Sequence, residues 1–284
     1  MARRNPNPNQ NDFLSAALAG VAIGAIGYGC YKLFGSSSRE QVEYQDAEKT
    51  PTPIPFRMNS RHSFPRDSET YVVNNIEECR SVMRKLKSHC DEYSVLGFDC
   101  EWVTLPDNGR QKVALLQLAS HRGLCGLVRL SELNHIPLEL EEILMDRDIL
   151  KVGITPNTDA RYLFEDYFRK GSYNSSDNQY NYIRGMLDLR FVSKMAKCDQ
   201  AMGLAKMSET YLGVPIEKKL NIRCSDWEAE RLSAEQISYA TLDALVAIEL
   251  YKFFAEQITR NESCSLLKVI HNSSESADMD FRGN

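Results

Sequence analysis

The sequence predicts an α/β fold, a mixed sheet flanked by helices, carried behind an N-terminal transmembrane helix. Three observations predict it. Apolar runs at 95–100, 112–119 and 124–130 follow one another closely, joined by the turn signals Asp107-Asn108-Gly109 and His121-Arg122-Gly123, which makes an antiparallel meander. Helical patterns then alternate with short strands near 149–154 and 186–189, so helices cover the faces of a mixed sheet. Near the start of the chain, Phe13 to Tyr31 contains no charged residue.

Residues 1–12 are a polar segment that begins with basic Arg3 and Arg4. Residues 13–34 follow as the anchor. As a helix rising about 1.5 Å per residue, Phe13 to Tyr31 spans roughly 28 Å, close to the hydrocarbon thickness of a bilayer. Gly20 and Gly24 make a G-x-x-x-G face on which two helices can approach closely. A signal peptide or a soluble Ala/Gly helix are the alternatives, but no small-residue cleavage pattern follows; Tyr31-Lys32-Leu33-Phe34 comes instead. The basic flanks nearly balance, so they set no orientation. Residues 35–70 read as a flexible linker, with Ser36-Ser37-Ser38 and Thr50-Pro51-Thr52-Pro53-Ile54-Pro55. Residues 261–284 read as a polar tail.

The chain has 284 residues, 43% hydrophobic and 26% charged, enough for one good domain with appendages. Its formal net charge of −5 argues against a general polyanion binder. Its 8 Cys form no C-x-x-C pair, and its 5 His form no ligand cluster, so neither a zinc site nor a disulfide framework is expected. No G-x-x-x-x-G-K-[ST] loop is present, which argues against an NTPase.

The chemistry concentrates in a few acids. Val95-Leu96-Gly97-Phe98-Asp99-Cys100-Glu101-Trp102 is a core strand that breaks into acid, small residue, acid. Side chains alternate faces along a strand, so Asp99 and Glu101 share one side and Cys100 takes the other. Two carboxylates held side by side repel each other, and a divalent cation between them removes that repulsion. A second pair lies in Ser238-Tyr239-Ala240-Thr241-Leu242-Asp243. Ser233-Ala234-Glu235-Gln236 is a capping-box start for that helix, and the four-residue spacing puts Tyr239 and Asp243 on one face. A further acid, Asp159, follows the strand Ile149 to Ile154. With Asn157 or Thr158 as N-cap, it falls in a helix's first turn, where the dipole favours an anion. Taken singly, each feature also suits a surface pair or a helix-start acid; their co-occurrence in this order is what points to a site.

The set resembles the DEDD superfamily of 3'-5' exonucleases, in the Tyr-containing branch that includes ribonuclease D and the Werner syndrome exonuclease domain. The motifs are Phe98-Asp99-Cys100-Glu101, Lys151-Val152-Gly153 followed by Asp159, and Tyr239 to Asp243. The His branch would need His where Ser238 stands. The segments 112–120, Gly203-Leu204 through Gly213, and Ser225-Asp226-Trp227 extend the resemblance over roughly 71–260. Thr155-Pro156-Asn157 is unusual before the second-motif acid, and 171–182 resembles an insertion.

The resemblance implies a ribonuclease H-like fold and a phosphodiester hydrolase using two divalent cations, Mg²⁺ or Mn²⁺. Two ions about 3.5–4 Å apart supply the nucleophilic water, charge neutralisation and leaving-group stabilisation, and oxygen-only ligands suit Mg²⁺ or Mn²⁺. Asp99 is then the bridging ligand, Glu101 and Asp243 are further ligands, and Asp159 serves the second ion. Tyr239, with an ordinary pKa of about 10, orients the attacking water rather than acting as base. Single-stranded or frayed nucleic acid is the expected substrate, met by a locally basic groove for which Lys112, Lys206, Lys218, Lys219 and Arg223 are candidates. The resemblance also implies a homodimer and the mitochondrial outer membrane, with the nucleus or another intracellular membrane as alternatives. The competing reading is a catalytically silent module of the same fold that binds nucleic acid or protein at a membrane.

Overall fold

The computed structural model describes residues 51–56, 68–106, 109–169, 179–198, 202–217 and 220–279, with side chains only up to residue 261 in the last helix. The expected anchor at 13–34, most of the expected linker, and Lys218 and Lys219 lie outside the described residues. Among the described residues no helix is long and apolar enough to cross a membrane.

Seven strands form one sheet: β1 (Ile54–Phe56), β2 (Ser68–Val73), β3 (Val95–Thr104), β4 (Arg110–Ser120), β5 (Leu124–Arg129), β6 (Leu150–Gly153) and β7 (Met186–Asp188), in the order β1-β2-β5-β4-β3-β6-β7. The expected meander is β3, β4 and β5, paired antiparallel. β6 adds parallel to β3, β7 parallel to β6, and β2 parallel to β5, which makes the sheet mixed. The folded body reaches back into the stretch expected as linker. β1 pairs antiparallel with the start of β2, placing Pro55 opposite Glu69 on an edge strand, where a missing N–H is tolerated.

Helix α1 (Ile76–Cys90) starts where Asn75 accepts from the Glu78 N–H at 2.9 Å, and it buries Cys79, Val82, Met83, Leu86 and Cys90 at helical spacing. With α2 (Leu130–Leu133), α3 (Leu138–Met145) and α4 (Pro156–Leu163) it belongs to the layer on one side of the sheet, over Leu96, Phe98, Cys100, Leu116 and Leu118. The short α5 (Gln179–Tyr182) and α6 (Leu189–Met195) flank β7, and α7 (Leu204–Met207) runs into a π-helical turn. After α8 (Leu220–Arg223) comes the long α9 (Ala234–Met279), which covers the other side.

The start of α9 matches its sequence signal. The Gln236 N–H donates to Ser233 Oγ at 3.2 Å, and the Ser233 N–H donates to Gln236 Oε1 at 2.9 Å, a reciprocal capping box. The helix lies so close to β3 that a Cβ on Gly97 would come within 1.9 Å of the Ala244 carbonyl oxygen. Only glycine permits that approach, and it sets the residue before Ala244, Asp243, against the strand that carries Asp99.

Candidate active site

Asp99 and Glu101 project from the α9 side of β3, and Asp243 meets them from the helix. Each offers a carboxylate oxygen, and these oxygens lie within 4.8 Å of one another. The ladder between β3 and β4 shifts register between Glu101 and Trp102, a bulge at the cluster's edge of the kind that re-aims side chains beside active sites. Glu101, Asp159 and Asp243 are buried, and Asp99 is half-buried.

Asp159 lies in the first turn of α4, as expected, but the cap differs. The helix begins at Pro156, and Thr155 is the N-cap, with φ 56° and no capping bond from its side chain. A β-branched residue in the left-handed region immediately before proline is a strained arrangement. It sits at a tight junction: a Cβ on Gly153, at the end of β6, would meet the Phe98 carbonyl oxygen at 2.5 Å. The turn therefore brings α4 directly over the middle of β3, where the charge of Asp159 acts on Glu101 and the charge of Asp99 acts on Asp159.

The electrostatics are those of an uncompensated acid pocket. Burial pushes the carboxyl groups of Asp99, Glu101, Asp159 and Asp243 above the usual carboxylate range. The charge of Asp99 raises the other three further. Opposing this, the Cys100 N–H donates to Asp99 Oδ1 at 3.0 Å. Asp99 and Asp243 each act directly on the other's carboxyl group. Tyr239, half-buried, donates to Asp243. Burial, and then the charges of Asp243, Glu101 and Asp99, hold its hydroxyl well above the ordinary phenol range, so it stays protonated. Clustered hard oxygens with too much negative charge for their burial are the donor set that a Mg²⁺-type or Mn²⁺-type ion fits.

Of the basic candidates among the described residues, Arg223 is the one whose charge reaches the acids. It is exposed on α8, and its charge acts on Asp99, Glu101 and Asp243. Lys112 is exposed and lies over the Tyr167 ring at 5.8 Å, while Lys206 pairs with Glu209 at 2.9 Å.

Two supporting residues carry no sequence signal of their own. Trp227, fully buried, donates from Nε1 to the Arg223 carbonyl at 3.1 Å and packs its ring against Tyr239, centroids 6.2 Å apart. Arg129, buried at the end of β5, donates to the carbonyls of Ala229 and Glu230 and so ties down the loop before α9. Only their place in Ser225-Asp226-Trp227 and at a strand end hinted at either.

Comparison with known proteins agrees with this geometry. The sequence pattern of the 3'-5' exonuclease domain matches residues 71–259. Exonuclease 3'-5' domain-containing protein 2 of Drosophila melanogaster is 41% identical over 183 residues, 64% of this chain and 29% of that protein. The human protein of the same name is 33% identical over 230 residues, 76% of this chain and 35% of that protein. The chain thus spans about a third of the length of these relatives. A crystal structure of the EXD2 exonuclease domain soaked in Mn aligns at 34% identity over 64% of this chain and 86% of that one. Its TM-score is 0.40, too low to bear on the fold, which rests on the strand order above. With more than half of the chain inside the family match, the chain belongs to the 3'-5' exonuclease family.

Proposed function

We propose that this protein is a metal-dependent 3'-5' exonuclease that hydrolyses phosphodiester bonds of DNA or RNA by a two-metal-ion mechanism. The observation that carries the reading is the convergence of carboxylate oxygens of Asp99, Glu101 and Asp243 within 4.8 Å, with Asp159 on α4 acting on Glu101 and feeling the charge of Asp99. Divalent ions there supply charge neutralisation at the phosphoryl group and a nucleophilic water. Asp99, Glu101 and Asp243 would hold one ion, and Asp159 together with Asp99 as the shared ligand would hold the second. Tyr239 orients the attacking water through its hydroxyl, and its raised pKa suits a hydrogen-bond donor rather than a base. Arg223, exposed above the acids, is placed to meet the substrate's phosphates.

The reading continues to the membrane: residues 13–34 anchor the protein, most simply in the mitochondrial outer membrane and as a homodimer. The uncharged run Phe13 to Tyr31 supports this. Alkaline carbonate extraction tests it, since an anchored protein stays in the pellet and a peripheral or cleaved one washes off.

The activity test is digestion of 3'-blocked and 3'-free single-stranded DNA and RNA by the full-length protein, with Mg²⁺, Mn²⁺ or EDTA. Stepwise loss from free 3' ends, abolished by EDTA, is expected. Intact substrates under every metal condition would favour a silent binding module instead.

A further inference from the structure

Gln117 lies in the middle of β4, inside the otherwise apolar run Val113-Ala114-Leu115-Leu116-Gln117-Leu118-Ala119. It is 0% exposed, and neither its amide nitrogen nor its amide oxygen has a hydrogen-bond partner among the described residues. A buried polar group left unpaired costs about 1–3 kcal/mol, and leucine in its place would carry no such cost. Unpaired buried groups of this kind call for an explanation, and a place beside a ligand site is one.

The register supplies the explanation. Gln117 stands directly opposite Asp99 on β3, and its opposite neighbour on β5 is the apolar Leu127. Directly opposed residues on neighbouring antiparallel strands share a face, with Cβ atoms about 4.5–5.5 Å apart. Asp99 is therefore the polar group beside the Gln117 carboxamide. The Asp99 carboxylate accepts from the Cys100 N–H at 3.0 Å, and its remaining lone pairs can take a further donor. The Gln117 amide is the donor that the register places next to it.

We propose that Gln117 is a positioning residue of the cation site, its amide donating to the Asp99 carboxylate when the ion is bound and fixing the direction of the ligand oxygens. The inference rests on the reading of the acid cluster as a divalent-cation site. Partners of this kind, one step behind a ligand, typically change metal affinity or activity by about 10–100-fold when removed.

The test is a Mn²⁺ titration of the full-length protein, followed by the electron paramagnetic resonance signal of free Mn²⁺, on wild type, Gln117→Leu and Gln117→Met. Thermal unfolding in EDTA is measured in parallel. Both substitutions keep the volume and remove an unpaired amide, so the unfolding midpoint in EDTA is expected to hold or rise. The Mn²⁺ Kd is expected to rise about 10–100-fold. Methionine, flexible and unbranched, covers the case in which leucine packs badly. Wild-type Mn²⁺ affinity in a folded variant overturns the proposal, because a core amide with only a packing role leaves affinity untouched. Wild-type protein that binds no Mn²⁺ overturns it too. Wild-type protein that binds Mn²⁺ yet leaves DNA and RNA intact sinks the exonuclease reading alone, and the Gln117 result stands.

Discussion

The two faces of the sheet are made by alternate residues of the same strands, and they treat buried polarity in opposite ways. On the α1 side, Leu96, Phe98, Cys100, Leu116 and Leu118 pack with Val82, Leu86 and Ile143. The buried amine of Lys151 on β6, its pKa held down to about 7 by burial, is satisfied there: it donates to the carbonyls of Ile143 at 3.0 Å and Asp146 at 2.7 Å. One residue along the same strands, on the α9 side, stand Gly97, Asp99, Glu101 and Gln117. Their acids crowd one another, and the amide is unpaired among the described residues. The pleat separates stability from chemistry at single-residue spacing. The buried amine on the packing face finds its partners within the fold, and the acids and the amide on the chemical face are left for a ligand to satisfy.

Breaking the chemical face should have the largest effect on activity and the least cost in stability. Asp99→Asn is expected to reduce cleavage to the level seen in EDTA, measured on a labelled single strand. Without metal the same change should stabilise the protein, because it removes a charge from a crowded pocket. The pH dependence has a definite sign. Burial holds the Asp99 carboxyl up at about 6, above its ordinary value near 3.8. The folded state therefore binds more protons than the unfolded chain in that window, and unfolding free energy falls as pH rises through it. This contribution is fully present below about pH 4 and is lost on climbing through pH 6. His89 and His121, both held below their usual range chiefly by burial, act in the other direction as they titrate. The readout is thus the difference in unfolding midpoint between wild type and Asp99→Asn in EDTA from pH 4 to 7. That difference should swing in favour of the variant as pH rises and reverse with saturating Mn²⁺. A flat difference would mean that burial does not hold the Asp99 carboxyl up.

Breaking the packing face should do the converse. Leu118, adjacent to Gln117 but on the α1 side, is fully buried opposite Phe98. Leu118→Ala is expected to cost about 2–5 kcal/mol of unfolding free energy, read by urea denaturation, and to leave Mn²⁺ affinity as in wild type.

The parts of this comparison that the sequence makes legible are local. The acid-small-acid break in the run 95–102, the capping box at Ser233 and Gln236, and the turn-linked meander each depend on residues within a few positions of one another. What stayed hidden depends on contacts distant in sequence. That Gln117 faces Asp99 follows from strand register, and that Trp227 supports Tyr239 follows from the path of the loop before α9. β1 was masked by its prolines, which read as linker until an edge strand accommodates them. The cap of α4 was misplaced because Thr155 adopts a conformation that its residue type and the following proline both disfavour. α1 is the exception: its cap at Asn75 and its apolar spacing are both local signals.

Within the chemical face, Tyr239 and the acids can be told apart. Tyr239 touches Asp243 but presents a protonated hydroxyl and no ligand charge. Tyr239→Phe is expected to lower kcat by roughly 10²-fold, the scale for one positioned proton-handling group. Its Mn²⁺ titration should superimpose on wild type. A weakened titration would make Tyr239 part of the ion-holding set.

The smallest effects separate the rim of the site from the rest of the surface. Arg223 and Lys206 are both exposed cations, but only Arg223 acts on the acids, whereas Lys206 is paired with Glu209, both side chains more than half exposed. Exposed pairs of that kind contribute about 0–1 kcal/mol. A cation that meets a phosphate displaces counterions, and for a single strand each such contact adds about 0.7 to the slope of log affinity against log salt. Arg223→Ala should therefore raise KM for a single strand modestly and flatten its salt dependence by about that slope. Lys206→Ala should leave both unchanged. KM measured across a salt series on the two variants decides it. Equal slopes would detach Arg223 from the substrate path and leave its charge with one task, offsetting the acids until the ions arrive.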